Sequence, residues 1–105
     1  MARFDVYRNS GSHAAATPFL LDVQCSLLED MDSTMVIPMR SVEHFAKVKL
    51  PTRLIPVFTI DGKNYLLETP KMGAVPRRIL KDRVTSLVNE QARITAALDF
   101  LFQGY

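Results

Sequence analysis

Cysteine, histidine and glycine are all scarce in this chain of 105 residues, and each scarcity removes a class of function. Cys25 is the one cysteine, so no disulfide can form within the chain, which fits a reducing compartment. The two histidines, His13 and His44, are far apart and do not have the spacing of metal ligands. The four glycines are isolated, so no glycine-rich phosphate loop is present. We therefore expect neither a metal nor a cofactor.

Net charge and apolar run length are also small. Lys and Arg number 13 against 11 Asp and Glu, and a net charge of +2 does not by itself indicate nucleic-acid binding. No apolar run reaches the length of about eighteen residues that a membrane span needs, so we expect no membrane association. Charged residues stand near the N-terminus, where a signal peptide needs an apolar core. The sequence thus predicts a cytoplasmic protein.

The length and composition fit one folded unit. An apolar fraction of 48% is typical of globular proteins, and the sequence predicts a single domain over residues 1–105. A chain this short buries only about two-thirds of its surface, so dimerisation would add stability.

Short strands separated by turns are predicted for the first two-thirds of the chain. Alternating apolar positions predict a half-buried strand over residues 4–8. Asp61-Gly62 lies between two β-rich runs and predicts a hairpin. Pro38 favours a bulge or an edge position for its strand. The other predicted strands are residues 19–23, 35–39, 54–60, 65–69 and 72–75.

The segments between these strands are less regular. Residues 9–17 and 27–34 are predicted to be loops because they are rich in small or polar residues. Residues 41–49 fit either one or two helical turns or a long loop, and the sequence leaves both open.

The periodicity changes after Lys81 to steps of three and four residues, which predict a helix of about five turns that starts near Asp82 or Thr85. We expect Ile94 and Leu98 to face the core. Short strands followed by one C-terminal helix predict a mostly β fold, a small antiparallel barrel or sheet with the helix packed on it. The predicted stripe is Val84, Leu87, Val88, Gln91, Ile94, Thr95, Leu98, Leu101 and Phe102.

No residue set predicts catalysis. Cys25 follows a predicted strand and is interpreted as a buried structural thiol rather than a nucleophile. Asp61, Glu68 and Asp82 have no spacing that marks an acid–base pair. The cations between Arg77 and Arg83 are interpreted as a solvated face.

The end of the helix allows two interpretations. Gly104 is a common helix C-cap, and the last turn would then dock onto the core, which local sequence favours. Alternatively, the helix presents Tyr105 to a partner.

Several segments, in order along the whole chain, resemble the CcdB toxins of bacterial toxin–antitoxin modules. Each motif alone is common, but the ordered set and the total length are specific. The segments are residues 4–7, 22–24, 35–38, 55–60, 72–76 and 102–105.

This resemblance implies a small SH3-like antiparallel β-barrel with a long C-terminal helix, assembled as a homodimer. It implies a toxin that is not an enzyme, binds the A subunit of DNA gyrase and traps the enzyme on cleaved DNA. A CcdA-like antitoxin neutralises such toxins, and operator DNA is bound only by the pair, which represses its own operon. The dimer contact is expected around Leu101 and Phe102.

The resemblance also assigns two binding surfaces. The gyrase contact falls on the last three residues: Gln103, Gly104 and Tyr105. The antitoxin contact falls on the loop formed by Arg8, Asn9, Ser10, Gly11, Ser12 and His13.

One residue departs from the family pattern. Gln103 stands where the family has tryptophan, and glutamine offers hydrogen bonds but cannot stack in the same way. The alternatives are therefore a CcdB-like protein that no longer poisons gyrase and acts through its antitoxin or another target, and, more remotely, a MazF-like endoribonuclease. The latter would use His13, Arg53, Arg77 and Asp82, which no motif supports.

Overall fold

The structure, a computed structural model, describes residues 2–11, 14–45 and 51–104, and these contain seven strands and one α-helix. The helix is α1 (Gln91–Gln103), and short 3-10 turns connect several strands. The mostly β composition with a C-terminal helix confirms the predicted fold class. The strands are β1 (Asp5–Arg8), β2 (Phe19–Asp22), β3 (Ser33–Ser41), β4 (Val57–Ile60), β5 (Lys63–Leu67), β6 (Gly73–Pro76) and β7 (Arg83–Ser86).

The strands form one antiparallel sheet in the order β4-β5-β3-β2-β1-β7, with β6 also paired to β3. The nine-residue β3 pairs with β2 along one side, and with β6 and then β5 along the other. The sheet is curled into a half-barrel, and β4 and β7 are its outer strands. Each predicted strand overlaps an observed one, although β3 is longer and β4 shorter than expected.

Pro38 lies inside the sheet, so the predicted edge position is wrong. Its strand, β3, has neighbours on both sides, but β6 ends and β5 begins at this point. The Pro38 carbonyl accepts a hydrogen bond from the Glu68 N–H, 2.9 Å away, in the segment between those two strands. Because the N and C=O of a strand residue face the same side, the proline nitrogen also faces this interruption. The missing N–H therefore costs no regular ladder bond.

The predicted hairpin at Asp61-Gly62 is confirmed. Ile60 pairs with Lys63, so the loop has two residues. Asp61 has φ 51° and Gly62 has φ 79°, and both therefore lie in the left-handed region. Two consecutive positive φ angles are what a type I′ turn requires, and this turn matches the natural twist of the strands that it joins.

The predicted start of the helix is wrong. Residues 83–86 form β7, Val88–Glu90 form a 3-10 turn, and α1 begins only at Gln91. The segment pairs with β1, and the Leu87 N–H donates to the Phe4 carbonyl across 2.8 Å. An edge of the sheet was available to this segment, and pairing there satisfies its backbone and overrides the local periodicity. The helix is thus between three and four turns long.

The buried face of α1 differs in part from the predicted stripe. Ile94 is fully buried, as predicted, together with Ala97. Leu98 is half-buried against the same core. Thr95 and Phe102, which the stripe included, are exposed. The helix therefore contacts the sheet through positions spaced three and four residues apart, but its buried face is narrower than the predicted stripe.

Both faces of β1 are covered, so the predicted half-buried strand is wrong. Val6 belongs to the main core between the sheet and α1. Tyr7, one residue on, belongs to a second cluster on the opposite face, with Leu20 and Leu80. The segment from Val75 to Leu80 covers that face and explains the difference.

The 41–49 segment lies only partly within the described residues. Val42–Phe45 form a 3-10 turn, and residues 46–50 lie outside the description.

Candidate partner-binding site

The end of α1 is open to solvent. Phe102 is 71% exposed, Gln103 and Gly104 are exposed, and Leu101 is half-buried. Gly104 adopts a left-handed conformation with φ 80°, and its N–H donates to the Phe100 carbonyl across 2.9 Å. This is an ordinary glycine C-cap, which here ends a helix without docking its last turn. Tyr105 lies outside the described residues.

The predicted antitoxin loop leaves β1 through a firmly bonded base. The Asn9 N–H donates to the Pro18 carbonyl and its side-chain amide to the Thr17 carbonyl, each across 2.8 Å. The Asn9 side-chain oxygen accepts the Gly11 N–H. Ser10 and Gly11 are exposed, whereas Ser12 and His13 lie outside the described residues. Asn9 therefore joins both arms of the loop where it meets the sheet.

Arg8 links this loop to the segment before β7. Its N–H donates to the Asp82 carbonyl across 2.9 Å, and its guanidinium pairs with the Asp82 carboxylate at 3.0 Å. A cavity of about 370 Å³ lies between the two segments. Its lining includes Arg78, Ile79 and Lys81, so the predicted loop residues share a concave surface of net positive charge with residues distant in sequence.

The cations from Arg77 to Arg83 do not all form the solvated face that the sequence predicted. Arg77 donates to the carbonyls of Leu28 and Met31, at 2.9 and 2.7 Å. Arg83 pairs with the buried Asp5 carboxylate at 3.2 Å. Arg78 and Lys81 are exposed. Two of the four cations are therefore structural, because they satisfy backbone or buried acceptors.

The turn after β2 presents apolar side chains that sequence reasoning classified only as a loop. Leu27 is 91% exposed, Met31 51% and Leu28 45%. The Arg77 contacts hold this turn against the body of the protein. These three side chains are therefore a candidate interaction surface. The sequence feature that could have indicated this surface is the pair of adjacent leucines, Leu27 and Leu28, within an acidic loop.

Cys25 is exposed, so its interpretation as a buried thiol is wrong. It lies past the end of β2, at the start of the turn, where the chain has already left the core.

The residues considered for ribonuclease chemistry are held by separate parts of the fold. Arg53 lies over the Phe100 ring at 5.3 Å, Arg77 binds the turn after β2, and Asp82 pairs with Arg8. Across residues 2–11, 14–45 and 51–104 there is no group of three or more His, Cys, Asp or Glu side chains that would hold a metal. No helix in this part of the chain is long and apolar enough to cross a membrane.

The fold is that of a small antiparallel half-barrel carrying one C-terminal helix with an exposed end. A family model described as CcdB protein matches residues 3–104. The chain therefore belongs to the CcdB family, a family of toxins, and the resemblance inferred from the sequence is confirmed. No curated protein matched the chain in a sequence search.

Proposed function

We propose that this toxin binds the A subunit of DNA gyrase through the end of α1 and traps the enzyme on cleaved DNA. The observation that carries the proposal is the exposed end of the helix, where Gln103 and Gly104 face solvent. A helix anchored at Ile94 holds these residues in a fixed place at little further cost in entropy. Family membership supports this use of the surface. Tyr105 completes the proposed contact.

Because of Gln103, we expect the proposed contact to be weaker than the contact that the family's tryptophan would form. A tryptophan at this place would offer a large ring for stacking, whereas the glutamine amide must be desolvated to occupy the same volume. Loss of a central aromatic anchor commonly costs about 2 kcal/mol or more at an interface. We therefore expect a gyrase poison that is weak or whose contact has a changed specificity.

The remaining parts of the proposal concern partners. The toxin acts as a homodimer, and it is inhibitory by binding rather than by catalysis. A CcdA-like antitoxin binds the loop that starts at Arg8 and Asn9, and the pair binds operator DNA and represses its own operon. The firm base of the loop supports this role, because Asn9 fixes where the loop leaves the sheet. The proposed location is the cytoplasm.

The experiment compares the wild type with Gln103→Trp in a gyrase cleavage assay, using gyrase from the source bacterium. We expect Gln103→Trp to trap about tenfold more cleaved DNA at equal concentration, because it restores a stacking ring. Gln91→Trp is the matched control, since it adds the same ring at the exposed start of α1. Deletion of the last two residues should abolish trapping.

Two results would contradict the proposal. If the truncated chain still traps cleaved DNA, the end of α1 is not the gyrase contact. If neither the wild type nor Gln103→Trp traps any, the alternative of a CcdB-like protein without gyrase activity is favoured. The substitution at Gln103 is the specific observation behind that alternative.

A further inference from the structure

The cavity between the loop and the segment before β7 carries uncompensated positive charge. Arg8 and Asp82, which both line it, neutralise each other at 3.0 Å. Arg78 and Lys81 also line it, are exposed, and form no ion pair with any residue that the structure describes. Two cations therefore face a concave space of about 370 Å³. Such a space favours an anionic occupant.

A second cavity, of about 420 Å³, lies next to the first, and Asn9 lines both. Leu20 and Pro38 form an apolar part of its wall. Its one carboxylate, Glu68, is only 10% exposed and is already paired with Lys71 at 3.4 Å. Because Asn9 lines both, the two cavities are neighbours, and together they are called the groove. Arg78 and Lys81 mark its basic end, and Leu20 and Pro38 mark its apolar end.

We propose that this groove binds an extended, acidic peptide segment. Its carboxylates contact Arg78 and Lys81, and a small apolar side chain occupies the space beside Leu20 and Pro38. Asn9 stands between the two ends, so the peptide crosses the base of the loop. The identification of this peptide as part of the antitoxin rests on the proposed function; the chemistry of the occupant rests on the groove itself.

The groove suits a peptide better than a nucleic acid. Among the described residues that line the two cavities there is no aromatic side chain on which a base could stack. The wall formed by Leu20 and Pro38 suits an aliphatic side chain, which a phosphate chain does not have.

The experiment titrates the full-length, isotope-labelled protein with synthetic peptides and follows backbone amide shifts by NMR. One peptide has about twelve residues, alternates glutamate with alanine and carries one central leucine; its partner has glutamine for every glutamate. We expect saturable shifts at Asn9, Leu20 and Ile79 with the acidic peptide only. Raising the salt concentration should weaken them, because the contacts are exposed charges.

Matched variants test the basic end. Lys81→Gln should weaken binding about threefold, the size expected for one exposed charge pair. Lys63→Gln removes the same charge from the exposed hairpin and should leave binding unchanged. The proposal is overturned if both peptides bind equally, if neither shifts these amides, or if the two lysine variants lose equal affinity. A single-stranded DNA oligonucleotide that gives the same shifts would also overturn it, in favour of a phosphate site.

The same variants separate this proposal from the gyrase proposal. Lys81→Gln leaves the end of α1 intact, so it should trap as much cleaved DNA as the wild type. A protein that binds the acidic peptide but traps no DNA would contradict the gyrase contact alone. A protein that traps DNA but ignores the peptide would contradict the groove alone.

Discussion

The Arg93 guanidinium donates a hydrogen bond to the backbone carbonyl of Val57 across 2.8 Å, which ties α1 to the outer edge of β4. Pro56 accepts the Leu67 N–H from β5, so the next residue, Val57, faces the open side of the sheet. Arg93 also lies over the Phe58 ring at 4.4 Å and pairs with Glu90 at 2.7 Å. One side chain therefore covers part of an exposed strand edge.

Arg93→Ala should reduce the free energy of unfolding by about 1–2 kcal/mol, since it removes a charge-assisted hydrogen bond and a cation–π contact. Urea unfolding measures this loss. Arg78→Ala is the matched control, because Arg78 is exposed and should change stability by less than about 0.5 kcal/mol. Equal effects from the two substitutions would show that Arg93 does not stabilise the edge of β4.

Ile94→Ala should cost about 2–5 kcal/mol, because Ile94 is fully buried between α1 and the sheet. Leu98→Ala should cost less, since Leu98 is only half-buried. Thr95→Ala, on the exposed side of the same turn, serves as the control and should be nearly neutral. Urea unfolding of the three variants tests the order. A loss at Thr95 as large as that at Ile94 would mean that the buried face of α1 is misassigned.

Tyr7 should make stability fall at alkaline pH. Burial, and then the nearby Asp5 and Asp22 carboxylates, raise the pKa of Tyr7 above its ordinary value of 10.0. Below about pH 10 both the folded and the unfolded states hold the proton, so the contribution of Tyr7 is fully present. Above that pH the unfolded state loses the proton first, and stability falls until the folded pKa is passed.

The test compares unfolding of the wild type and Tyr7→Phe from about pH 8 to about pH 11. The difference in stability between them should stay constant up to about pH 10 and then shift in favour of Tyr7→Phe. A constant difference over the whole range would contradict the raised pKa.

The proposed homodimer should sediment at twice the 11.9 kDa mass of the chain at micromolar concentration. Phe102→Glu should shift the equilibrium toward the monomer, because it places a charge at the proposed contact around Leu101 and Phe102. Leu27→Glu is the control, since Leu27 is equally apolar and even more exposed but lies elsewhere. If the wild type is a monomer, the proposed homodimer is wrong. If both variants dissociate equally, the dimer contact does not lie around Leu101 and Phe102.

Local chemistry was sufficient for part of this structure. The Asp61-Gly62 hairpin was predictable because two consecutive left-handed residues are a property of that dipeptide. The burial of Ile94 followed from helical spacing within one element. The ordered segments of the chain also identified the family, which the match over residues 3–104 confirmed.

Tertiary pairing decided the rest, because a residue's partners across the sheet are not encoded in its neighbours along the chain. Residues 83–86 have helical spacing but form β7, since the edge of β1 offered them hydrogen bonds. Pro38 is tolerated inside the sheet only because β6 ends and β5 begins beside it. The groove likewise exists only in the folded chain. There Asn9 lines both the cavity of Lys81 and the cavity of Leu20, two residues that are more than sixty positions apart in the sequence.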